Sequence, residues 1–257
     1  MDLCKNYISK IEVISKVRKV VIFDIDGTLL ELLPEEENAY VKAFDIAYGI
    51  KGFNHDWYSY RYPNDLAIAR EIISRHFDRP CKIEELNQVL EVYASLLESE
   101  VYGRRVRPKL IPGIGEVLKA LNMNGNIGIA LATFNAEQIS KLRLETAGIW
   151  KYFECGAFAE DGNDKTLILG KAIDRCHETW RDFTNTWDVI FIGDHPGDAV
   201  AAQALGVHFI GINAHTKQFG ASGVSTIFQD YSALDRFLNH MEVLWINDQN
   251  SQDNALS

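Results

Sequence analysis

Val20-Val21-Ile22-Phe23-Asp24-Ile25-Asp26-Gly27-Thr28-Leu29 is the stretch on which the fold turns. Its first four residues are apolar and mostly β-branched, the composition of a strand buried on both faces of a parallel sheet. The strand ends in two carboxylates. Side chains two apart on an extended segment point the same way, so Asp24 and Asp26 can face one site. Gly27 permits a sharp turn there and a close approach by a ligand. Two buried carboxylates about 4 Å apart repel each other by about 4 kcal/mol at an effective dielectric of about 20. A cation or a shared proton must accompany them, and Mg²⁺ suits hard oxygen ligands.

Outward from this strand, the same pattern recurs. Apolar runs are predicted as strands at Ile127–Thr133 and Val189–Gly193, the second followed by Asp194. Helices are expected at Ile114–Leu121, Ala136–Ala147 and Lys165–Cys176, and another ends near Leu205-Gly206. Shorter strands fall around Cys155–Phe158, Val207–Ile212 and Thr226–Phe228, and helix Tyr231–Leu238 closes the alternation. This order predicts a doubly wound, Rossmann-like α/β core with a parallel sheet, whose ligands sit beyond the carboxyl ends of the strands. Asp24, Thr133 and Asp194 each stand at such an end, and Asp198 follows Asp194 by one helical turn.

One long segment, residues 31–107, interrupts the alternation and reads as helix throughout. Glu35, Glu36 and Glu37 suit a helix start, where the dipole favours acids. Tyr40, Val41, Phe44 and Tyr48 form an apolar stripe that ends at Gly49. Asn64 or Asp65 can cap a second helix carrying Leu66, Ile72, Ile73 and Phe77. Ile83, Leu86, Leu90, Tyr93 and Leu97 give a third at three-to-four spacing.

Taken in order, these segments resemble the haloacid dehalogenase superfamily of phosphotransferases, and within it the phosphoglycolate-phosphatase-like branch. That family's first motif, DxDGT after an apolar strand, is matched by Asp24 to Thr28. Its second, a Thr or Ser ending a strand, is matched by Thr133. Lys165, opening a helix, matches the third. Gly193, Asp194 and Asp198 match the acidic fourth, often written GDxxxD. Two positions depart from the pattern. Thr133-Phe134-Asn135 stands where Thr-Gly-Asn is frequent, and Phe134 is expected to turn into the core. Asp164-Lys165-Thr166 lacks the common Lys-Pro pair, which leaves Lys171 as a competitor. Asn163 and Asp164 are good N-cap residues, so Lys165 can reach back across the strand end.

The resemblance implies that residues 31–107 are an all-helical cap inserted into a core of residues 1–30 and 108–246. The polar stretch 247–257 is expected to be a disordered tail. It further implies Asp24 as a nucleophile that becomes an aspartyl-phosphate, with Asp26 as general acid and base. Mg²⁺ would be held by Asp24, the backbone carbonyl of Asp26 and Asp194, with Asp198 binding it directly, through water, or only orienting Lys165. Lys165 would neutralise charge, while Thr133, Asn135 and backbone N–H groups around Phe134 would hold phosphate oxygens. An acid at the Asp26 position sets the chain apart from the dehalogenases and phosphonate-cleaving branches. The implied activity is Mg²⁺-dependent hydrolysis of small phosphorylated metabolites. A phosphomutase uses the same two aspartates. A catalytically silent metal-binding or interaction protein is a third reading, against which Asp26 and the motif lysine both speak.

Composition narrows the partners. The chain has 257 residues, 36 acidic against 26 basic, for a net charge of −10. Duplex binding relies on Lys and Arg neutralising phosphates, so nucleic acid is not an expected partner. No apolar run is long enough to span a bilayer, and Met1 to Asn6 lack a signal-peptide core, so no membrane partner is expected. Cys4, Cys81, Cys155 and Cys176 are scattered without a CxxC pair. Idle thiols in a cytoplasmic monomer or homodimer are expected. Arg61, and the cluster Arg104, Arg105, Arg107 and Lys109, are candidates to attract an anionic substrate; a solvated face is favoured for both. His195 is read as a loop residue beside Asp194.

Overall fold

Six parallel strands form the sheet of the computed structural model, which describes residues 19–104, 106–180, 188–212 and 226–255. Cys4 and Arg105 lie outside the described residues, as does the side chain of Arg104. The strands are β1 (Lys19–Phe23), β2 (Ile127–Ala132), β3 (Cys155–Ala157), β4 (Val189–Gly193), β5 (His208–Ile212) and β6 (Ile227–Phe228). Their order across the sheet is β3-β2-β1-β4-β5-β6. The accompanying α-helices are α1 (Pro34–Tyr48), α2 (Asp65–Phe77), α3 (Ile83–Leu96), α4 (Ile114–Met123), α5 (Glu137–Thr146), α6 (Lys165–Thr179), α7 (Pro196–Leu205) and α8 (Leu234–Ala255).

Strand order reverses at β1, between β2 and β4, which opens the crevice a doubly wound sheet offers to ligands. Phe23 pairs in register with Leu131 on one side and Ile192 on the other. Asp24, Thr133 and Asp194 therefore emerge from neighbouring strand ends at nearly one level. Residues 20–23 are fully buried, and their period of two splits them between faces. Val21 and Phe23 join the cluster of Val117, Leu118, Phe237 and Trp245 on one face. Val20 and Ile22 join Ile168, Leu169, Ala172 and Ala202 on the other. This is the buried parallel sheet expected from the continuous apolar runs.

Helices α1 to α3 build a hydrophobic cluster of their own, centred on Phe44, Ile73, Val89 and Leu97. Ala136 and Ile139, at the start of α5, belong to the same cluster and fasten the inserted segment to the sheet domain. The segment is not helical throughout. Between α1 and α2 the chain runs as a loop with one 3₁₀ turn at Trp57–Ser59. Gly49 and Gly52 both adopt positive φ, and Asn54 Oδ1 accepts from Asp56 N–H, a local bond that competes with the helix. At the other end α3 passes into a π-helical turn at Leu97–Val101.

The last helix departs from expectation at both ends. It begins at Leu234, because Tyr231 is fixed in the preceding turn by its N–H bond to Pro112 O. It continues to Ala255, where polar composition predicts a disordered tail. Phe237, Met241 and Trp245, four apart, are buried and hold the helix. Once a helix is nucleated, each further residue adds a hydrogen bond, so it propagates into polar sequence.

Cys155 and Cys176 face each other as free thiols 3.6 Å apart. No described helix is long and apolar enough to cross a membrane.

Candidate active site

Asp24 extends the sheet by one bond, its N–H donating to Ile192 O at 2.9 Å. The chain then turns at Gly27, whose φ is 70° and whose missing Cβ matters: a methyl there would overlap Asp194 Oδ2. Gly193 is constrained in the same way, because its Cβ would overlap Asp198 Oδ2. Gly27 thus lets the turn after β1 close on the end of β4, and Gly193 lets the first turn of the helix after β4 fold back on that strand's end.

Asp198 is aimed back at the strand ends by the cap of α7. Its Oδ2 accepts from His195 N–H at 3.0 Å, and His195 Nδ1 accepts from Gly197 N–H at 3.0 Å. Carboxylate oxygens of Asp24, Asp194 and Asp198 consequently lie within 4.8 Å of one another. Lys165 comes to the same place from α6, whose N-cap Asp164 accepts from Leu167 N–H. Its Nζ is 3.0 Å from Asp24 Oδ1 and 3.2 Å from Asp198 Oδ1. Lys171 lines no part of this cavity. The ring of Phe134 covers the lysine, with Nζ 4.4 Å from its centroid. Phe134 is thus half-buried against the sheet's cluster and also a wall of the site, where the expectation was a turn into the core.

Charge in this group is unbalanced. Burial pushes the Asp24 carboxyl up to about 7, with Lys165 opposing and Asp198 adding to the shift. Burial pushes Asp194 up to about 8, reinforced by Asp24 and Asp198. Burial would lower Lys165, but Asp198 and Asp24 outweigh it and hold the ammonium charged. Three carboxylates against one lysine leave an excess that a divalent cation would offset. The donors are all hard oxygens, so Mg²⁺ fits them.

Asp26 lines the same cavity, but its carboxylate stands apart from that trio. Oδ1 accepts from Arg143 Nη2 at 2.7 Å and Oδ2 from Asn135 Nδ2 at 2.9 Å. Burial raises its pKa, and the Arg143 guanidinium more than reverses that, leaving Asp26 below the usual carboxylate range. Its backbone carbonyl is then the part of Asp26 left for a metal. Asn135 lines the cavity, its amide engaged by Asp26 and, through Oδ1, by Arg143 Nη1 at 2.6 Å. Thr133, buried at the end of β2, lines the cavity and accepts Asn135 N–H through Oγ1 at 3.2 Å.

Sequence reasoning missed Arg143 and Glu36. Arg143 Nη2 also lies 2.9 Å from Glu36 Oε2, and Tyr102 donates to Glu36 Oε1 at 2.7 Å. One buried guanidinium therefore joins Asp26 of the sheet domain to Glu36 of α1. A signal existed: Arg143 is four residues from Ile139 and adjacent to Leu144, which places it on the buried stripe of α5.

The cavity measures about 320 Å³, and both the sheet domain and helices α1 to α3 contribute walls. Arg61 is exposed, stacks on Tyr62 at 5.1 Å and is not one of the lining residues. In the basic cluster, Arg107 donates to Tyr102 O and Lys109 pairs with Glu31. Both are surface arrangements, as favoured from sequence.

Comparison with known proteins gives the family. A profile of the haloacid dehalogenase-like hydrolases matches residues 21–212. The chain belongs to that family, and its fold is the family's α/β core. A phosphoglycolate phosphatase from Photobacterium profundum is 28% identical over 225 residues, covering 84% of this chain and 93% of the relative. Family and relative together support a phosphatase as the kind of enzyme. Among solved structures, a predicted phosphoglycolate phosphatase from Haemophilus somnus superposes with a TM-score of 0.64 at 16% identity, over 86% of this chain and 98% of that one. A β-phosphoglucomutase candidate from Thermotoga maritima gives 0.56 at 21% identity, over 86% and 99%. Those two likenesses are likenesses of fold.

Proposed function

We propose that the protein is a Mg²⁺-dependent phosphatase of small phosphorylated metabolites that works through an aspartyl-phosphate on Asp24. The observation that carries this is Lys165, held between Asp24 and Asp198 with Asp194 alongside. A phosphate dianion repels an anionic nucleophile, and this arrangement gathers positive charge where the two must meet. When bound by Asp24, the Asp26 carbonyl, Asp194 and Asp198, Mg²⁺ supplies electrostatic stabilisation of the transferring group.

Asp24 attacks phosphorus and the ester oxygen leaves with a proton from Asp26. Asp26 then takes a proton from the water that hydrolyses the intermediate. Its pairing with Arg143 suits the second role, since it keeps the carboxylate ionised. Donation in the first step requires Asp26 to leave Arg143, whose charge Glu36 then still balances, and to hold a proton taken from solvent or from the hydrolytic water of the preceding cycle. Thr133 and backbone N–H groups around Phe134 orient the phosphoryl oxygens. In this reading residues 31–107 are a cap that closes the cavity over the substrate.

Free phosphate released stoichiometrically from simple monoesters with Mg²⁺, and lost in EDTA, is the expected result. Isomerisation of a sugar phosphate with negligible phosphate release would make the enzyme a mutase instead. The lysine assignment is tested separately. Lys165→Ala is expected to lower kcat/KM by about 2–4 kcal/mol, as loss of other electrostatic donors does. Lys171→Ala is expected to stay within about twofold. Steady-state kinetics of both variants decide it, and a large loss confined to Lys171→Ala would reverse the assignment.

A further inference from the structure

The walls of the cavity beyond the phosphate site have a composition of their own. Tyr40, Trp57, Tyr93, Leu33 and Ile68 face it from the inserted segment. At the mouth Leu32 and Tyr58 are 70% and 66% exposed and add apolar surface to the lining. Tyr58 is held flat against His195, its ring stacked at 4.7 Å with planes 7° apart. The Trp57 indole is fixed by its Nε1–H bond to Glu37 Oε1 at 3.1 Å, and its ring meets Tyr40 at 5.6 Å. Two preset aromatic rings thus stand where the ester's alcohol portion must lie.

Acids outnumber cations at this end. Glu36, Glu37 and Asp65 line the cavity here, beside Asp26. Among the described residues the lining cations are Lys165 and Arg143, and each already bridges two carboxylates. A carboxylate on the leaving group would find no uncommitted cation and would meet acids at close range. Burial pushes Asp65 up to about 7, with Asp26 adding to it after a backbone bond from Ala136 opposes, so this region already resists negative charge. An anion brought out of water without a partner is strongly disfavoured. A flat apolar group meets the opposite conditions, because it gains contact with rings already in place.

We propose that the preferred substrates are phosphate monoesters whose alcohol carries a flat aromatic group and no carboxylate, selected by Trp57 and Tyr58 and by the acidic lining. This rests on the phosphatase reading and adds the substrate class to it.

Three esters of primary alcohols separate the two levels: benzyl phosphate, ethyl phosphate and 2-phosphoglycolate. The expected kcat/KM for benzyl phosphate exceeds that for ethyl phosphate by about tenfold, the value of one good ring contact. 2-Phosphoglycolate is expected below ethyl phosphate. Tyr58→Ala is expected to cut the benzyl-to-ethyl ratio by about fivefold, and Tyr58→Phe to restore it, since Phe keeps the ring. A 2-phosphoglycolate value equal to or above that of benzyl phosphate overturns the inference and leaves the phosphatase reading standing. So does a benzyl-to-ethyl ratio that Tyr58→Ala leaves unchanged. If no ester releases phosphate, the phosphatase reading fails, and calorimetry of Asp24→Asn with Mg²⁺ still decides the substrate class. Tighter binding of benzyl phosphate than of 2-phosphoglycolate supports it; equal, reversed or absent binding overturns it.

Discussion

Asp24→Asn is expected to lower turnover by about 10³-fold or more while the protein stays folded. The amide offers no anionic oxygen to attack phosphorus, and no other carboxylate in the cavity stands at the end of β1 beside Lys165. The substitution is nearly isosteric, so the buried strand keeps its packing. Lys165 retains Asp198 at 3.2 Å. Stability adds a second readout with a definite sign. The folded-state pKa of Asp24 is raised to about 7, so its ionised form is disfavoured by folding. A neutral side chain at this position is therefore expected to leave the metal-free protein at least as stable as the parent. Measured kcat, with mass spectrometry to exclude deamidation and thermal unfolding in EDTA, tests both parts. Turnover within tenfold of the parent in a folded variant would end the covalent mechanism.

Arg143→Met is expected to cost about 3–5 kcal/mol of stability at neutral pH, the usual penalty for stripping one partner from buried ions. Side chains of Arg143 and Glu36 are only 4% and 5% exposed, and Asp26 depends on the same guanidinium. The variant leaves two carboxylates facing each other without a cation. Its pH dependence follows from the shift of Asp26, which Arg143 now holds low against the effect of burial. In the parent that pairing stabilises the fold above the unfolded carboxylate pKa and is lost as pH falls through the folded one. In the variant burial prevails, both carboxyls take up protons more readily, and the penalty shrinks as pH falls. The gap between the two proteins is thus expected to be widest near pH 7 and to narrow toward about pH 4. Urea unfolding at several pH values measures it. A loss under about 1 kcal/mol with no pH dependence would mean that the Asp26–Arg143–Glu36 linkage contributes little.

The two predictions draw on different layers of information. Asp24 was legible because its position follows from local rules. A β-branched run makes a strand, a period of two sets the direction of its last side chain, and a parallel sheet puts strand ends together. Asp194 follows by the same reasoning from β4. Asp198 and Lys165 were read from the resemblance to the family's motifs, with Lys171 left as a competitor, and the helix caps fix how the two side chains are presented. The meeting of Lys165 with Asp24, across 141 positions of sequence, is given by the tertiary structure.

Arg143, Glu36 and the orientation of Asp26 belong to the other layer. Their linkage joins a helix of the sheet domain to a helix of the inserted segment, and it exists only because Ala136 and Ile139 seat one on the other. Sequence periodicity puts Arg143 on a buried face but does not name its partners. The bonds of the Asn135 amide were not legible for the same reason, because they depend on which charged group arrives beside it. The loop carrying Trp57 and Tyr58 is likewise a product of assembly. A loop with aromatic packing was expected around Arg61, but not its partners: the Trp57 ring meets Tyr40 edge-on and the Tyr58 ring stacks on His195. What the sequence alone determined, then, is the parallel sheet and the acidic residues at its strand ends, because these rest on contacts within a few residues and on the repeat of the strand; the order of the strands came from the structure. The setting of Asp26 and the aromatic lining of the cavity were decided by tertiary structure, because buried charges and rings take their positions from whatever distant group balances or covers them.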